Sequence, residues 1–187
     1  ARQPAPPGAL RVIDCAYAPL RLEGAGAAPP GDSWQMWTPN KALGLTGVRA
    51  AYAIAPQQAQ AVAVQALAPS WPLGADGVAL LDAWVDAQAW LADSLATLRG
   101  WKAAQAGLCA SLGWAVVPGS LANYFTARLP LPDAAGVSAA LDALRAQGIK
   151  LRDCASFGLP GHVRLGVLPP ASQQALREAW LGHGRGA

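Results

Sequence analysis

One long helical face runs through the middle of the chain. Leu91, Leu95, Leu98, Trp101, Leu108 and Leu112 recur at steps of three, four and seven, the spacing that keeps apolar side chains on a single stripe of an α-helix. Gln105 falls on the same stripe as its one polar interruption. Such a helix, about six turns long, cannot bury its stripe alone, so it must pack against other elements, and it divides the sequence into two regions. Trp84 and Trp90 add bulk upstream and are expected to pack in the core.

Short strand-like and helix-like segments alternate on both sides of this helix. Before it, residues 10–17 (LRVIDCAY) and 47–55 (GVRAAYAIA) read as strands. WQMWT is a weaker strand that Pro39 and Asn40 stop, and a helix is expected from Pro56 to about Leu67. Residues 68–77 are a Pro- and Gly-containing break. After it, WAVV (114–117) and NYFTARL (123–129) read as strands around a Pro-Gly-Ser turn. Asp133 is placed to cap a helix ending before Gly148. IKLRD and HVRLGV are further strands, and PASQQALREAWL closes the chain as a helix. The class is α/β. Its expected division is 1–77, a connecting helix over 78–112, and a small α/β domain over 113–187.

Composition narrows the function. Hydrophobic residues make up 53% of the 187 and charged residues 13%, which suits a large core. The 11 arginines and 3 lysines against 11 acidic residues leave a net charge of +3 with no basic run, so nucleic-acid binding is not expected. Cys15, Cys109 and Cys154 lack CxxC spacing, and His162 and His183 stand far apart, so neither a disulfide framework nor a metal centre is expected. Charged residues, Gln or Pro interrupt every apolar run before it reaches membrane-span length. The opening residues lack the apolar segment of a signal peptide. A cytoplasmic protein is expected.

With so few lysines, the placing of Lys41 in TPNKALGLTGVR is informative. A pyridoxal phosphate site needs a lysine amine to condense with the aldehyde. It needs a carboxylate beside the pyridine nitrogen to raise that nitrogen's pKa, and a phenol or similar donor for the ring oxygen. It also needs an arginine with hydroxyls for the phosphate, because the guanidinium fork matches phosphate oxygens. The sequence supplies each type in a workable order: Asp14 and Tyr17 at a strand end, Thr38 and Lys41 after a strand-breaking corner, and Arg49 beyond Gly44 and Gly47. Arg152 and Arg164 flank a later loop and could both face a substrate anion.

Three separated segments carry a family resemblance. VIDCAY resembles the V-D-E-A-Y segment of the class I/II aminotransferases of fold type I. TPNKALGLTGVRAAYAIA resembles their lysine signature, and FGLPGHVRLGV their late G-x-x-R-I-[ST]-x-G segment. Within that superfamily the chain most resembles L-threonine-O-3-phosphate decarboxylases and histidinol-phosphate aminotransferases, and its lysine segment leans to the decarboxylase branch. The resemblance implies a fold type I transferase with an incomplete large domain, its sheet mostly parallel, over 1–77 and a small α/β domain after the connecting helix. It implies pyridoxal 5'-phosphate as cofactor, held by Asp14, Tyr17, Thr38, Asn40, Lys41 and Arg49, with Lys41 also the catalytic proton shuttle. Arg152 and Arg164 would bind an amino-acid phosphate substrate. Asn40 stands where the signature has Ser or Thr, and its amide is expected to donate to the phosphate instead. Cys15 stands where the family often has Glu, and Asn123 resembles a small-domain A-N-[FY] segment.

The implied activity is threonine-phosphate decarboxylation in cobalamin biosynthesis, with histidinol-phosphate-type transamination as the alternative and a catalytically inert fragment as the third possibility. The resemblance begins at the Asp14 strand, so the chain is expected to correspond to about the C-terminal half of a full-length, homodimeric enzyme.

Overall fold

The computed structural model describes Pro6 and residues 8–183. The chain forms two compact units that divide within one helix, between Asp93 and Ser94.

The first unit holds strands β1 (Val12–Asp14), β2 (Trp34–Trp37) and β3 (Tyr52–Ile54), then helices α1 (Gln58–Gln65) and α2 (Ala75–Asp86). The strand order is β1-β2-β3. The expected parallel arrangement holds for β1 and β2, with Asp14 opposite Met36. β3 returns antiparallel, with Tyr52 opposite Trp37. Two of these strands are shorter than their sequence suggests. β1 stops at Asp14 because the Asp14 carboxylate accepts the Ala16 N–H at 2.9 Å and turns the chain. Residues 47–51 are not strand, because side chains take the carbonyls that a ladder would use: Ala50 O accepts from Thr38 Oγ1, and Val48 O from Asn40 Nδ2.

The long helical pattern is two helices. α2 begins at Ala75, earlier than the expected 78, and α3 runs from Gln88 to Ser111. They part at Ala87, where the Trp84 carbonyl accepts the Gln88 side-chain amide at 2.9 Å. Trp90 is not core: it is 53% exposed.

The second unit holds β4 (Ala115–Val116), β5 (Tyr124–Arg128), α4 (Ala134–Ala146), β6 (Arg152–Asp153), β7 (His162–Gly166) and α5 (Pro170–His183). Its sheet is antiparallel throughout, in the order β4-β5-β7-β6. Alternation sends Phe125, Ala127, Val163 and Leu165 to the buried face. There they meet Val137 and Leu144 of α4 and Leu176 and Ala179 of α5. Burying a side chain of this size stabilises by about 1.5–3 kcal/mol, so this cluster is the main store of stability in the unit. Gln105 earns its place on the apolar stripe: it is buried, its Nε2 donates to Gly166 O and its Oε1 accepts the Leu168 N–H, both at 3.0 Å. It therefore satisfies the backbone where β7 ends. Asp133 caps α4 as expected, accepting the Gly136 N–H at 2.8 Å.

Candidate active site

Strand direction gathers the candidate residues of the first unit. β1 and β2 are parallel and end side by side, at Asp14 and Trp37. β3 is antiparallel and begins at that same end, since Tyr52 pairs with Trp37. The segments carrying Asp14 and Tyr17, Thr38 to Lys41, and Arg49 therefore all emerge at one edge of the sheet. In open α/β sheets that edge, beyond the carboxyl ends of parallel strands, is where ligands bind.

The loop from Thr38 to Ala51 is braced from within. Thr38 Oγ1 donates to Ala50 O at 2.7 Å and lies 2.5 Å from Asn40 Oδ1. Asn40 is buried, and its amide donates to Leu45 O at 3.3 Å and to Val48 O. Both amide hydrogens thus hold the loop closed. Gly44 sits at φ 69°, in the left-handed region that only glycine enters without strain. Gly77 of α2 lies under the loop so closely that an added Cβ would stand 2.9 Å from the Arg49 carbonyl oxygen.

A cavity of about 430 Å³ opens above this loop, lined by Thr38, Asn40, Lys41, Thr46, Arg49 and Leu73, among others. Its charged groups are an amine and a guanidinium. The Lys41 Nζ lies 5.8 Å from the centroid of the Tyr17 ring, so the β1 turn and the lysine loop meet at that amine. Asp14 is exposed at the neighbouring strand end. Cys15 beside it is buried, and burial raises its thiol pKa, with the Asp14 carboxylate raising it further.

The second unit brings together the other two candidates. Arg152 and Arg164 are directly opposite in the β6–β7 ladder. The Arg164 guanidinium carbon lies 5.1 Å from the Tyr124 ring centroid and 5.9 Å from that of Phe157. Arg152 lies 5.2 Å from the same Phe157 ring. Asn123 Oδ1 is buried with no hydrogen-bond partner among the described residues. Sequence reasoning missed Thr46 and Leu73 in the first cluster and Phe157 in the second. Thr46, a hydroxyl between Gly44 and Gly47, carried a signal that could have found it. Leu73 and Phe157 reach their places only through the fold.

Among the described residues no group of three or more His, Cys, Asp or Glu could hold a metal ion, and no helix is long and apolar enough to cross a membrane.

The family described as aminotransferase class I and II matches residues 12–180. The chain belongs to this family. Among solved structures it is similar to histidinol-phosphate aminotransferase from Clostridium acetobutylicum, at 18% identity and a TM-score of 0.78, covering 95% of this chain and 55% of that one. It is similar to histidinol-phosphate aminotransferase from Sinorhizobium meliloti in complex with pyridoxal 5'-phosphate, at 25% identity and a TM-score of 0.77, covering 92% and 49%. It is also similar to L-threonine-O-3-phosphate decarboxylase from Porphyromonas gingivalis, at 21% and 0.73, covering 93% and 55%. No curated protein matches the chain significantly. The fold is that of the fold type I pyridoxal-phosphate-dependent transferases, and the chain spans about half the length of these solved relatives.

Proposed function

We propose that the chain carries the lysine-bearing and anion-binding parts of a pyridoxal-phosphate-dependent enzyme acting on an amino-acid phosphate, a threonine-phosphate decarboxylase of cobalamin biosynthesis. The observation that carries the proposal is the convergence of Thr38, Lys41 and Arg49 on one cavity, with the Tyr17 ring beside the amine. The donors on that cavity, one amine, one guanidinium and the Thr46 hydroxyl, suit an aldehyde-bearing phosphate dianion. When bound, the cofactor supplies an aldehyde and an electron-withdrawing ring that stabilises negative charge at a substrate carbon.

The chain's own residues do the rest. Lys41 Nζ would hold the cofactor at its aldehyde carbon, water leaving as that bond forms, and once displaced by the substrate's amine would move a proton at the substrate's α carbon. Asp14 would hold the proton on the ring nitrogen, and Tyr17 would donate to the ring oxygen. Arg49 would hold the phosphate, while Thr38, its hydroxyl hydrogen committed to Ala50 O, and Asn40, its amide hydrogens committed to Leu45 O and Val48 O, keep the loop in shape. Arg164 binds the substrate carboxylate or the anionic group that stands in its place, and Arg152 a substrate phosphate. The proposed organisation is the latter part of a large domain over 1–77, a connecting region over 78–112 and a small domain over 113–187. The proposed full-length enzyme is a cytoplasmic homodimer.

The wording of residues 38–56 supports decarboxylation. The likeness to the Sinorhizobium protein, at 25% identity, favours histidinol-phosphate transamination as a second reading. Both use the same residues and differ in which bond at the α carbon is cleaved. Phosphothreonine should release carbon dioxide in the presence of pyridoxal phosphate. Formation of glutamate from histidinol phosphate and 2-oxoglutarate, with no carbon dioxide from phosphothreonine, would replace the decarboxylase with the aminotransferase. Absence of both products would leave an inert fragment.

A further inference from the structure

Two arginines directly opposite in an antiparallel ladder repel one another. Among the described residues neither Arg152 nor Arg164 has an ion-pair partner. Asp153 alternates to the opposite face and its carboxylate accepts the Ala155 N–H at 2.8 Å, capping the next turn. Something other than an acid must hold the pair.

Arg152 Nη2 donates to Ser156 Oγ at 3.4 Å, and the one group that both arginines share is Phe157. It ends a short 3-10 turn, Ala155–Phe157, and Gly158, at φ 75°, fixes where that turn closes. The ring is 55% exposed, so burial does not account for its position. Both guanidinium carbons lie over it, at 5.2 and 5.9 Å from its centroid, and Tyr124 bounds Arg164 at 5.1 Å. A guanidinium held against a π face keeps its N–H groups in its own plane, free to donate. The arrangement offers two forks beside one ring to one doubly charged oxyanion or to a phosphate and a carboxylate of one molecule.

We propose that Phe157 is a positioning residue that holds Arg152 and Arg164 together for a phosphorylated amino acid, an inference that rests on the assignment of these arginines to the substrate anions. The test is a titration of the 187-residue chain with O-phospho-L-threonine, read at the Nε–H signals of Arg152 and Arg164 in 15N–1H spectra, which separates this cluster from the Lys41 cavity. Both signals should shift saturably, and Arg152→Ala or Arg164→Ala should weaken binding about tenfold or more. Phe157→Ala and Phe157→Leu should each weaken it about fivefold, while Phe157→Tyr, which keeps the ring face, stays within about twofold. Wild-type affinity in Phe157→Leu would mean that apolar bulk suffices and would overturn the inference while the arginine assignment stands. No saturable shift in the wild-type chain, or no loss in the arginine variants, would overturn both.

Discussion

Lys41 and Arg49 are eight positions apart, and a loop of side-chain-to-carbonyl bonds brings both to one cavity. That these two share one loop was legible in the sequence, where the lysine is one of only three. The role of Asn40 was not. An amide is equally suited to a phosphate or a carbonyl, and only the fold reveals that Leu45 O and Val48 O take its hydrogens. Replacing Arg49 with Ala should weaken pyridoxal phosphate binding at least about tenfold, measured by titration of the cofactor's absorbance, because a charge-assisted contact to a dianion is lost. A second residue-scale prediction concerns Cys109, fully buried in the core, where burial pushes the thiol up from 9.0 to about 11. The unfolded chain ionises this thiol first as pH rises. Stability from keeping it neutral is therefore present in full below about pH 9 and is lost as pH approaches 11. Denaturant midpoints measured across that window should fall more steeply for wild type than for Cys109→Ala.

At the scale of elements, periodicity located nearly every helix and strand but overran their ends. The strand expected over 47–55 survives only as Tyr52–Ile54, and the strand over 10–17 only as Val12–Asp14. In both places a side chain competes for backbone groups, which an alternation pattern does not register. The same competition marks the break at Ala87, where no Pro or Gly announces it. Asp133 was legible because capping is local. Asp133→Ala should cost about 1 kcal/mol of stability, seen as a lower denaturant midpoint with unchanged cofactor binding. Gly77 gave no local signal, since its meaning lies in its approach to the Arg49 carbonyl. A methyl there would meet backbone at 2.9 Å, so Gly77→Ala should displace the loop and weaken cofactor binding, whereas Gly100→Ala, with open space around it, should not.

Taken whole, the molecule stores its stability unevenly. The large apolar cluster belongs to residues 94–183. The β1-β2-β3 sheet has no fourth strand among the described residues, and Val12, Met36 and Ile54 are exposed on it. Three strands are near the minimum for an independently stable sheet. Amide exchange should accordingly be slowest in β5, β7 and α4 and faster in β1 to β3; equal protection in both would contradict this. The division inside α3, between Asp93 and Ser94, was not legible, because a continuous helical stripe carries no mark of which unit each turn serves. The central claim is that one amine is set apart for an aldehyde. Incubating the chain with pyridoxal phosphate, trapping with borohydride and mapping the labelled peptides tests it directly, since the competitors are Lys102, buried and donating to Ser120 O, Lys150 and the chain's own amino terminus. The account predicts label concentrated on Lys41 at low cofactor concentration; label spread over Lys150 and the terminus, with Lys41 no richer, would contradict it.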